Sequence, residues 1–289
     1  MAISYEHIMS LKSEGVEATY GDRETMLYAL GIGFGRDPMN EAELPFVYEG
    51  VNDPNYLKTV PSMATVLQWG GGALRESGIN YLMVVHGEQR VQLHRPLPSA
   101  ASIVADERVI GAFDKGAGKG AVIVVEKKIR IKGTNEPLAT LVSSTFARGD
   151  GGFGGPSTGA PEPHPIPERK PDGTFETTIE ADQAFIYALS GDRNPLHRDP
   201  KIAKMAGFQK PIIHGLCTYG TTCRAIITNV LDHRSETIRG YDVRFSSPAY
   251  PGETVLVDVW KDGNVVSFRA RIKEREVVVI NNGKCTLTA

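Results

Sequence analysis

Hydrophobic and polar residues alternate over much of the chain, which is the pattern of half-buried β-strands. The alternation predicts four strands in the first half and four in the second, at 91–93, 103–113, 121–131, 138–147, 242–245, 254–260, 265–272 and 277–287. Only short turns separate most of these strands, so neighbouring strands are predicted to pair antiparallel. A doubly wound parallel sheet is excluded because it needs a helix after each strand.

Apolar residues at helical spacing predict one long helix in each half. In the second half the helix is predicted from Ile212 to Leu231, with apolar positions at Leu216, Tyr219, Cys223, Ile226, Ile227 and Val230. The matching candidate in the first half runs from Ser62 to Glu76 and ends before Gly78. Strand-rich halves with one central helix each belong to the α+β class.

One stretch differs from the rest in composition. Glycine and proline dominate from Gly149 to Gly173, and no apolar periodicity is left there. Such a segment is typical of a surface linker. We therefore predict a first domain at residues 1–148, a linker at 149–172 and a second domain at 173–289.

The two halves share short sequence patterns in the same order. Met26–Leu30 resembles Phe185–Leu189 at an offset of 159 residues, and Gly87–Val91 resembles the segment from Gly240 at an offset of 153. Two similar offsets are expected of a duplicated domain. Chance similarity of short apolar words is the alternative.

Composition and charge narrow the class of protein. The 289 residues are 41% hydrophobic and 23% charged, with 32 basic and 34 acidic side chains. This balance does not favour a nucleic-acid-coating or membrane-surface protein. No apolar run reaches the roughly 18 residues of a membrane span. We therefore predict neither nucleic acid nor membrane as a partner.

The termini and the cysteines point to a reducing compartment. The three cysteines form no C-x-x-C pair, which argues against a disulfide framework or structural zinc. The N-terminus has no signal-peptide pattern, and the last residues, Thr286 to Ala289, are not a peroxisomal tripeptide. A cytoplasmic location is expected, and a peroxisomal one is less favoured.

A short loop in the second half carries an acid, an amide and an imidazole. Asp192, Asn194 and His197 lie between Gly191, a candidate helix end, and Asp199, a candidate N-cap followed by proline. Such a trio can hold one water molecule between an acid and a base. Ordinary turn residues are the alternative. A metal site at Asp192, His197 and Asp199 is less favoured, because no second ligand cluster accompanies it.

Two glycine-containing segments are further candidates. His214 and Gly215 open the long predicted helix, where free amides can bind a substrate oxygen and Gly215 allows a close approach. Helix packing is the alternative role for Gly215. The segment Gly116–Gly120 lacks P-loop spacing and is predicted to be a hairpin turn, with Lys115 beside it as a possible phosphate contact.

Two strings resemble a known family. GDRNPLH, beginning at Gly191, and KPIIHGLC, beginning at Lys210, resemble the type-2 (R-specific) enoyl-CoA hydratases of the MaoC-like family. The resemblance covers nearly the whole chain. It is strongest to the hydratase domain of the peroxisomal multifunctional β-oxidation enzyme.

The resemblance implies a double hot-dog fold, in which each half has a central helix wrapped by an antiparallel sheet. It implies that Asp192 and His197 are the catalytic pair, that Asn194 holds their water, and that the Gly215 amide binds the thioester oxygen. Residues matched to substrate contacts are His86, Gly87, Lys115, Arg193, Pro195, Leu196 and Phe245. The first half has Gly31–Gly35 in place of the catalytic string, as in the family's degenerate half, which accommodates bulky acyl chains.

The implied activity is reversible hydration of trans-2-enoyl-CoA to (3R)-3-hydroxyacyl-CoA, in fatty-acid or steroid side-chain β-oxidation. No metal or redox cofactor is expected. The protein is expected to form a homodimer. Two alternatives remain: a hot-dog acyl-CoA thioesterase, against which the Asp-x-Asn-Pro-x-His string argues, and a non-catalytic acyl-CoA-binding protein.

Overall fold

The computed structural model describes residues 3–69 and 72–288. Its α-helices are α1 (Tyr5–Ser10), α2 (Asp22–Gly31), α3 (Leu44–Val47), α4 (Gln183–Tyr187), α5 (Pro200–Met205) and α6 (Gly215–Asn229). Its strands are β1 (Lys12–Tyr20), β2 (Val84–Leu93), β3 (Ala101–Asp114), β4 (Ala121–Ile131), β5 (Pro137–Ala147), β6 (Gly173–Thr178), β7 (Ile238–Phe245), β8 (Thr254–Asp262), β9 (Val265–Ile272) and β10 (Val277–Leu287). Within the described residues, no helix has the length and apolarity to span a bilayer.

The ten strands form one antiparallel sheet in the order β1-β3-β4-β5-β2-β7-β10-β9-β8-β6. Each half contributes five adjacent strands, and the second half repeats the order of the first in reverse across the β2–β7 junction. This arrangement is what a duplicated domain predicts. The predicted α+β class is confirmed.

Sequence alternation located the eight inner strands and missed the two outermost ones. β1 and β6 each pair with a single neighbour, at opposite edges of the sheet. Most β1 side chains are exposed or half-exposed, and the register shifts between Ser13 and Val16. An edge strand buries few side chains, so its sequence carries little apolar alternation.

Helix α6 is the central helix of the second half, as predicted. Ten of its 15 residues are buried. The hydroxyl of Tyr219 donates to the Tyr241 carbonyl at 2.9 Å, and the Tyr241 hydroxyl donates to Thr222 Oγ1 at 2.9 Å. These bonds fix α6 against β7. The helix begins later than predicted, at Gly215, and the Ile213 amide donates instead to the Ala249 carbonyl at 2.9 Å.

The long helix predicted from Ser62 to Glu76 is wrong. The described residues form two 3₁₀ turns, Pro61–Thr65 and Ala73–Glu76, while positions 70 and 71 lie outside the described residues. The three consecutive glycines at 70–72 disfavour a helix by roughly 1 kcal/mol each relative to alanine. Sheet side chains also bind the backbone here: Lys127 donates to the Gln68 carbonyl, and Glu107 accepts from the Ala73 amide.

In the first half the buried 3₁₀ turn Pro61–Thr65 packs against α6 and against strands β2, β5 and β7. Glu107 and Lys127 lie opposite each other on β3 and β4 and form an ion pair of 2.7 Å. Beside this pair lies a cavity of about 340 Å³, lined by Gly72, Leu74, Arg75, Tyr81, Glu107, Val125 and Ser143.

The segment between β5 and β6 contains no helix or strand, and its beginning lies on the β3–β4 hairpin. The Asp114 carboxylate accepts from the amides of Gly116, Gly152 and Gly154 at 2.7–2.8 Å, and these bonds hold its pKa below the usual range. The Lys115 ammonium donates to the Ser157 carbonyl at 2.6 Å. The linker is thus anchored at its start.

A buried ion pair joins the halves. Arg224 of α6 donates to Glu43 of the first half at 2.6 Å, and the Glu43 side chain is only 3% exposed. The other Glu43 oxygen accepts from the Gly35 amide. Removing one partner of such a pair leaves a buried charge without compensation.

We expect Glu43→Gln to lower the free energy of unfolding by about 3 kcal/mol, because Arg224 would lose its counter-charge. Chemical denaturation measures this. The matched control is Glu17→Gln, which breaks the exposed Lys132–Glu17 pair and should cost less than about 1 kcal/mol. Equal losses in the two variants would contradict a stabilising contact between the halves.

Candidate active site

Gly191 turns the chain sharply into the loop that carries the predicted acid and base. The 3₁₀ turn Ala188–Ser190 extends α4 and ends at Gly191, whose φ is +130°. A Cβ at this position would lie 2.8 Å from Cγ of Trp69. Only glycine fits both the backbone angle and the close approach of the indole.

The loop is fixed by its own side chains, and its predicted ends at Gly191 and Asp199 are confirmed. Asp192 Oδ1 accepts from the Asn194 amide, and Asn194 Oδ1 accepts from the Leu196 amide, both at 3.0 Å. Asn194 is thereby the N-cap of the 3₁₀ turn Pro195–His197. Asp199 caps α5 by accepting from the Lys201 amide at 2.8 Å. The loop therefore presents Asp192 and His197 on a short, braced backbone.

His197 is held as a neutral imidazole. Its side chain is buried, and its Nδ1 lies 3.0 Å from the Ile212 carbonyl oxygen. Because a carbonyl can only accept, Nδ1 carries the proton and Nε2 keeps a lone pair. Burial lowers the His197 pKa, which favours this neutral form at physiological pH. Nε2 is available as a base.

The side chain of His214 belongs to the same site, which the sequence analysis missed. His214 is the N-cap residue of α6 and is 1% exposed. Its Nε2 donates to the Asp192 carbonyl at 3.0 Å, and its ring centroid lies 3.9 Å from that of His197. Burial lowers its pKa to about 3. Its place before Gly215 was the available signal.

The junction of the halves supplies the opposite wall. His86 of β2 and Phe245 of β7 have ring centroids 4.9 Å apart. A register shift at Gly87 redirects His86, and a Cβ on Gly87 would lie 3.2 Å from the Ser144 carbonyl oxygen. Burial lowers the His86 pKa to about 4, while nearby Asp192 opposes this shift. Residues of both halves therefore meet around Asp192.

The start of α6 faces the same space. The first amides bonded within the helix are those of Cys217 and Thr218, which donate to the His214 carbonyl. The amides of Gly215 and Leu216 precede them and lie beyond the intrahelical pattern. A Cβ on Gly215 would lie 3.5 Å from the Phe245 ring, at ordinary contact distance. The missing side chain leaves room for a ligand oxygen at the Gly215 amide.

The other residues predicted to contact substrate include exposed ones. Arg193 and Pro195 are exposed on the loop, and Leu196 is half-buried. Lys115 is exposed on the β3–β4 hairpin and bonds to the linker. Their predicted roles in binding substrate remain predictions.

The geometry also bears on the metal alternative. Ligand atoms of Asp192, His197 and His214 lie within 4.8 Å of one another. Asp199, the third residue of the predicted metal trio, instead serves as the cap of α5. The cluster can hold a water molecule between a carboxylate and a neutral imidazole, which is an acid–base arrangement.

Comparisons with known proteins agree with the family resemblance of the sequence. Residues 19–149 match the MFE-2 hydratase 2 N-terminal domain, and residues 163–283 match the MaoC like domain. The chain is 39% identical to enoyl-CoA hydratase ChsH3 of Mycobacterium tuberculosis, over 96% of this chain and 97% of that protein. The chain belongs to the MaoC-like enoyl-CoA hydratase 2 family.

Other members of the family share the whole fold. A MaoC-like dehydratase from Phytophthora capsici superposes with a TM-score of 0.86 at 32% identity, covering 99% of this chain and 98% of that one. The peroxisomal multifunctional enzyme type 2 of Mus musculus is 35% identical over 94% of this chain, which spans 37% of that enzyme. The predicted family and double hot-dog fold are confirmed.

We expect Gly191→Ala to destabilise the protein more than Gly207→Ala. Both glycines have positive φ, at +130° and +87°, so both variants meet backbone strain on the order of 1–3 kcal/mol. Only the Gly191 variant also displaces Trp69, since a Cβ on Gly207 meets nothing within 4 Å. Urea unfolding followed by tryptophan fluorescence measures both. Equal losses would mean that Trp69 does not constrain the loop.

Proposed function

We propose that the protein is an (R)-specific enoyl-CoA hydratase that reversibly adds water to trans-2-enoyl-CoA, giving (3R)-3-hydroxyacyl-CoA. The observation that carries this proposal is the pairing of Asp192 with a neutral His197 beside the start of α6. The 39% identity to an enoyl-CoA hydratase over nearly the whole chain supports it.

The proposed reaction begins with binding of the thioester carbonyl at the Gly215 amide. The conjugated carbonyl draws electrons from C3 of the enoyl group, so C3 becomes electrophilic. As water adds, negative charge develops on the thioester oxygen. A helix N-terminal N–H stabilises this charge more in the transition state than in the substrate, which is how it lowers the barrier.

Asp192 and His197 handle the protons. The pair removes a proton from water as its oxygen bonds to C3, and a proton is delivered to C2. Because Oδ1 of Asn194 caps the turn, its side-chain NH₂ is the group that can hold the water. The added oxygen and both hydrogens come from water and no oxidation state is exchanged with a partner. We therefore propose that the reaction uses neither metal nor redox cofactor.

The acyl chain is proposed to lie along the first-half sheet. Gln89, Ser143 and Val125 are in register on β2, β5 and β4, strands about 4.8 Å apart. This row runs from the junction near His86 to the 340 Å³ cavity. At the other end of the substrate, Lys115 is proposed to contact a CoA phosphate.

We also propose a cellular location, a pathway and an oligomeric state. The three cysteines are buried and free, which suits a reducing compartment such as the cytoplasm. The substrate class places the reaction in β-oxidation of fatty acids or steroid side chains. A homodimer is proposed from the family resemblance, with Phe185 and Leu189 as exposed apolar residues of the second half. Light scattering tests the assembly.

Product analysis tests the proposed activity against the alternatives. Incubation with trans-2-enoyl-CoA should yield (3R)-3-hydroxyacyl-CoA, identified by chiral chromatography and mass spectrometry. Release of free CoA would indicate a thioesterase. Binding of enoyl-CoA without turnover would indicate an acyl-CoA-binding protein.

We expect Asp192→Asn and His197→Ala each to lower kcat for hydration by roughly 10²–10⁴-fold, the usual worth of a positioned acid or base. The double variant should be little worse than either, since the two groups act as a unit. Asp199→Asn is the control, because an amide keeps the α5 cap and activity should persist. Near wild-type turnover in either single variant would overturn the assignment.

We expect Ser143→Phe to impair long enoyl-CoAs selectively, because the ring would occupy the cavity beside Val125. Raised KM and lowered kcat/KM should appear for C12–C16 substrates, while the C4 substrate keeps its rate. Val142→Phe, on the opposite face of the same strand, is the matched control. A uniform loss over all chain lengths would contradict the proposed path.

A further inference from the structure

We propose that His214 is a positioning residue that holds Asp192 and His197 in register with the Gly215 amide, through one hydrogen bond and one ring contact. This inference rests on the proposed hydratase function. It assigns a role to a buried side chain that the proposed reaction does not itself use.

The hydrogen bond ties the loop backbone to the start of α6. His214 Nε2 donates to the Asp192 carbonyl at 3.0 Å, and the next residue along the chain is Gly215. The loop otherwise meets this region through His197 Nδ1 and the Ile212 carbonyl. Two imidazole donors thus link the acid–base loop to the segment 212–215. The distance between the base and the thioester oxygen depends on both links.

The ring contact packs one imidazole against the other. The centroids of His197 and His214 lie 3.9 Å apart with an interplanar angle of 34°. His214 excludes water from that face of His197, and Tyr187 packs behind it with a centroid separation of 5.0 Å. The Nδ1 bond to the Ile212 carbonyl already orients the His197 ring, and the contact with His214 adds a second restriction on the direction of Nε2.

The protonation state of His214 fits this role. Its Nε2 carries the proton, so Nδ1 can only accept, and within the described residues Nδ1 is buried without a recorded partner. The buried Tyr187 hydroxyl, a potential donor, also has no recorded partner there. A charged His214 would repel a protonated His197, whereas the lowered pKa keeps His214 neutral throughout the working range.

The ionisable groups facing His197 come from three segments. Asp192 raises the His197 pKa from the loop, and Arg198, the next residue, lowers it. His214 faces it from the start of α6 and Tyr187 lies beyond His214. Desolvation is the largest cause of the lowered His197 pKa. Replacing the His214 ring with a smaller polar group should therefore raise that pKa.

Two substitutions separate the two contacts. His214→Phe keeps a flat ring against His197 but removes the donor to Asp192. His214→Gln keeps an N–H donor near the Nε2 position but removes the ring. We expect the Phe variant to lose roughly 10- to 100-fold in kcat with KM nearly kept, because the loop shifts relative to the Gly215 amide.

The Gln variant should instead change the pH profile. With more water near His197, its pKa rises toward the ordinary value of 6.5, so the acid limb of kcat/KM moves to higher pH. The same shift should appear in an NMR titration of ¹⁵N-labelled histidines, with the His197 signal assigned from a His197→Ala spectrum. This readout does not depend on activity.

The control is Ile227→Val, a buried substitution later in α6 that lowers stability without touching the site. If both His214 variants lose activity with an unmoved pH profile and an unmoved His197 titration, His214 is only a structural residue. If both keep wild-type kcat and titration, the inference also fails. If the wild-type protein hydrates no enoyl-CoA, the proposed function fails. The NMR titration still tests whether the His214 ring lowers the His197 pKa, because it needs no activity.

Discussion

The pairing of β2 with β7 is the constraint on which the candidate site depends. These two strands join the halves into one sheet, with Glu88 opposite Arg244 and Val91 opposite Tyr241. The junction brings His86 of the first half against Phe245 of the second. Neither half alone holds both walls of the site. A continuous sheet is stiff, so a few cross-strand pairs set the distance between residues far apart in sequence.

The halves share a strand order and differ in what covers the sheet. In the second half, α6 is the buried central helix, and the His214 side chain at its start bonds to the acid–base loop. In the first half, the Glu107–Lys127 pair binds the backbone of a non-helical segment, and a cavity remains. One duplicated framework thus supplies one half with a central helix and one half with a cavity, where we propose that the acyl chain lies. The buried Arg224–Glu43 pair holds the two together.

Burial of three imidazoles has the largest effect on the pKa values in the site. His86, His197 and His214 all have lowered pKa values, mainly through desolvation, although Asp192 lies near each of them. If these rings were charged, His197 could not accept a proton. The lowered pKa values leave these imidazoles neutral at physiological pH, which suits proton transfer near neutral pH.

Local sequence patterns were sufficient to predict many of the strands, helix α6 and the acid–base loop. Alternation located the inner strands, periodicity located α6, and the turn chemistry of Gly191 and Asp199 predicted the two ends of the loop. These features depend on residues near each other in the chain. The family strings then named Asp192, His197 and Gly215 as candidates, while the catalytic roles themselves remain a proposal.

Other features were decided only by tertiary contacts. The helix predicted from Ser62 to Glu76 does not form, because glycines weaken it and Glu107 and Lys127 bind its backbone from distant strands. The edge strands β1 and β6 bury too little to show a pattern. His214 joins the site through the Asp192 carbonyl, a contact across 22 residues. Short-range periodicity carries no information about such partners, since they meet only when the sheet closes around α6.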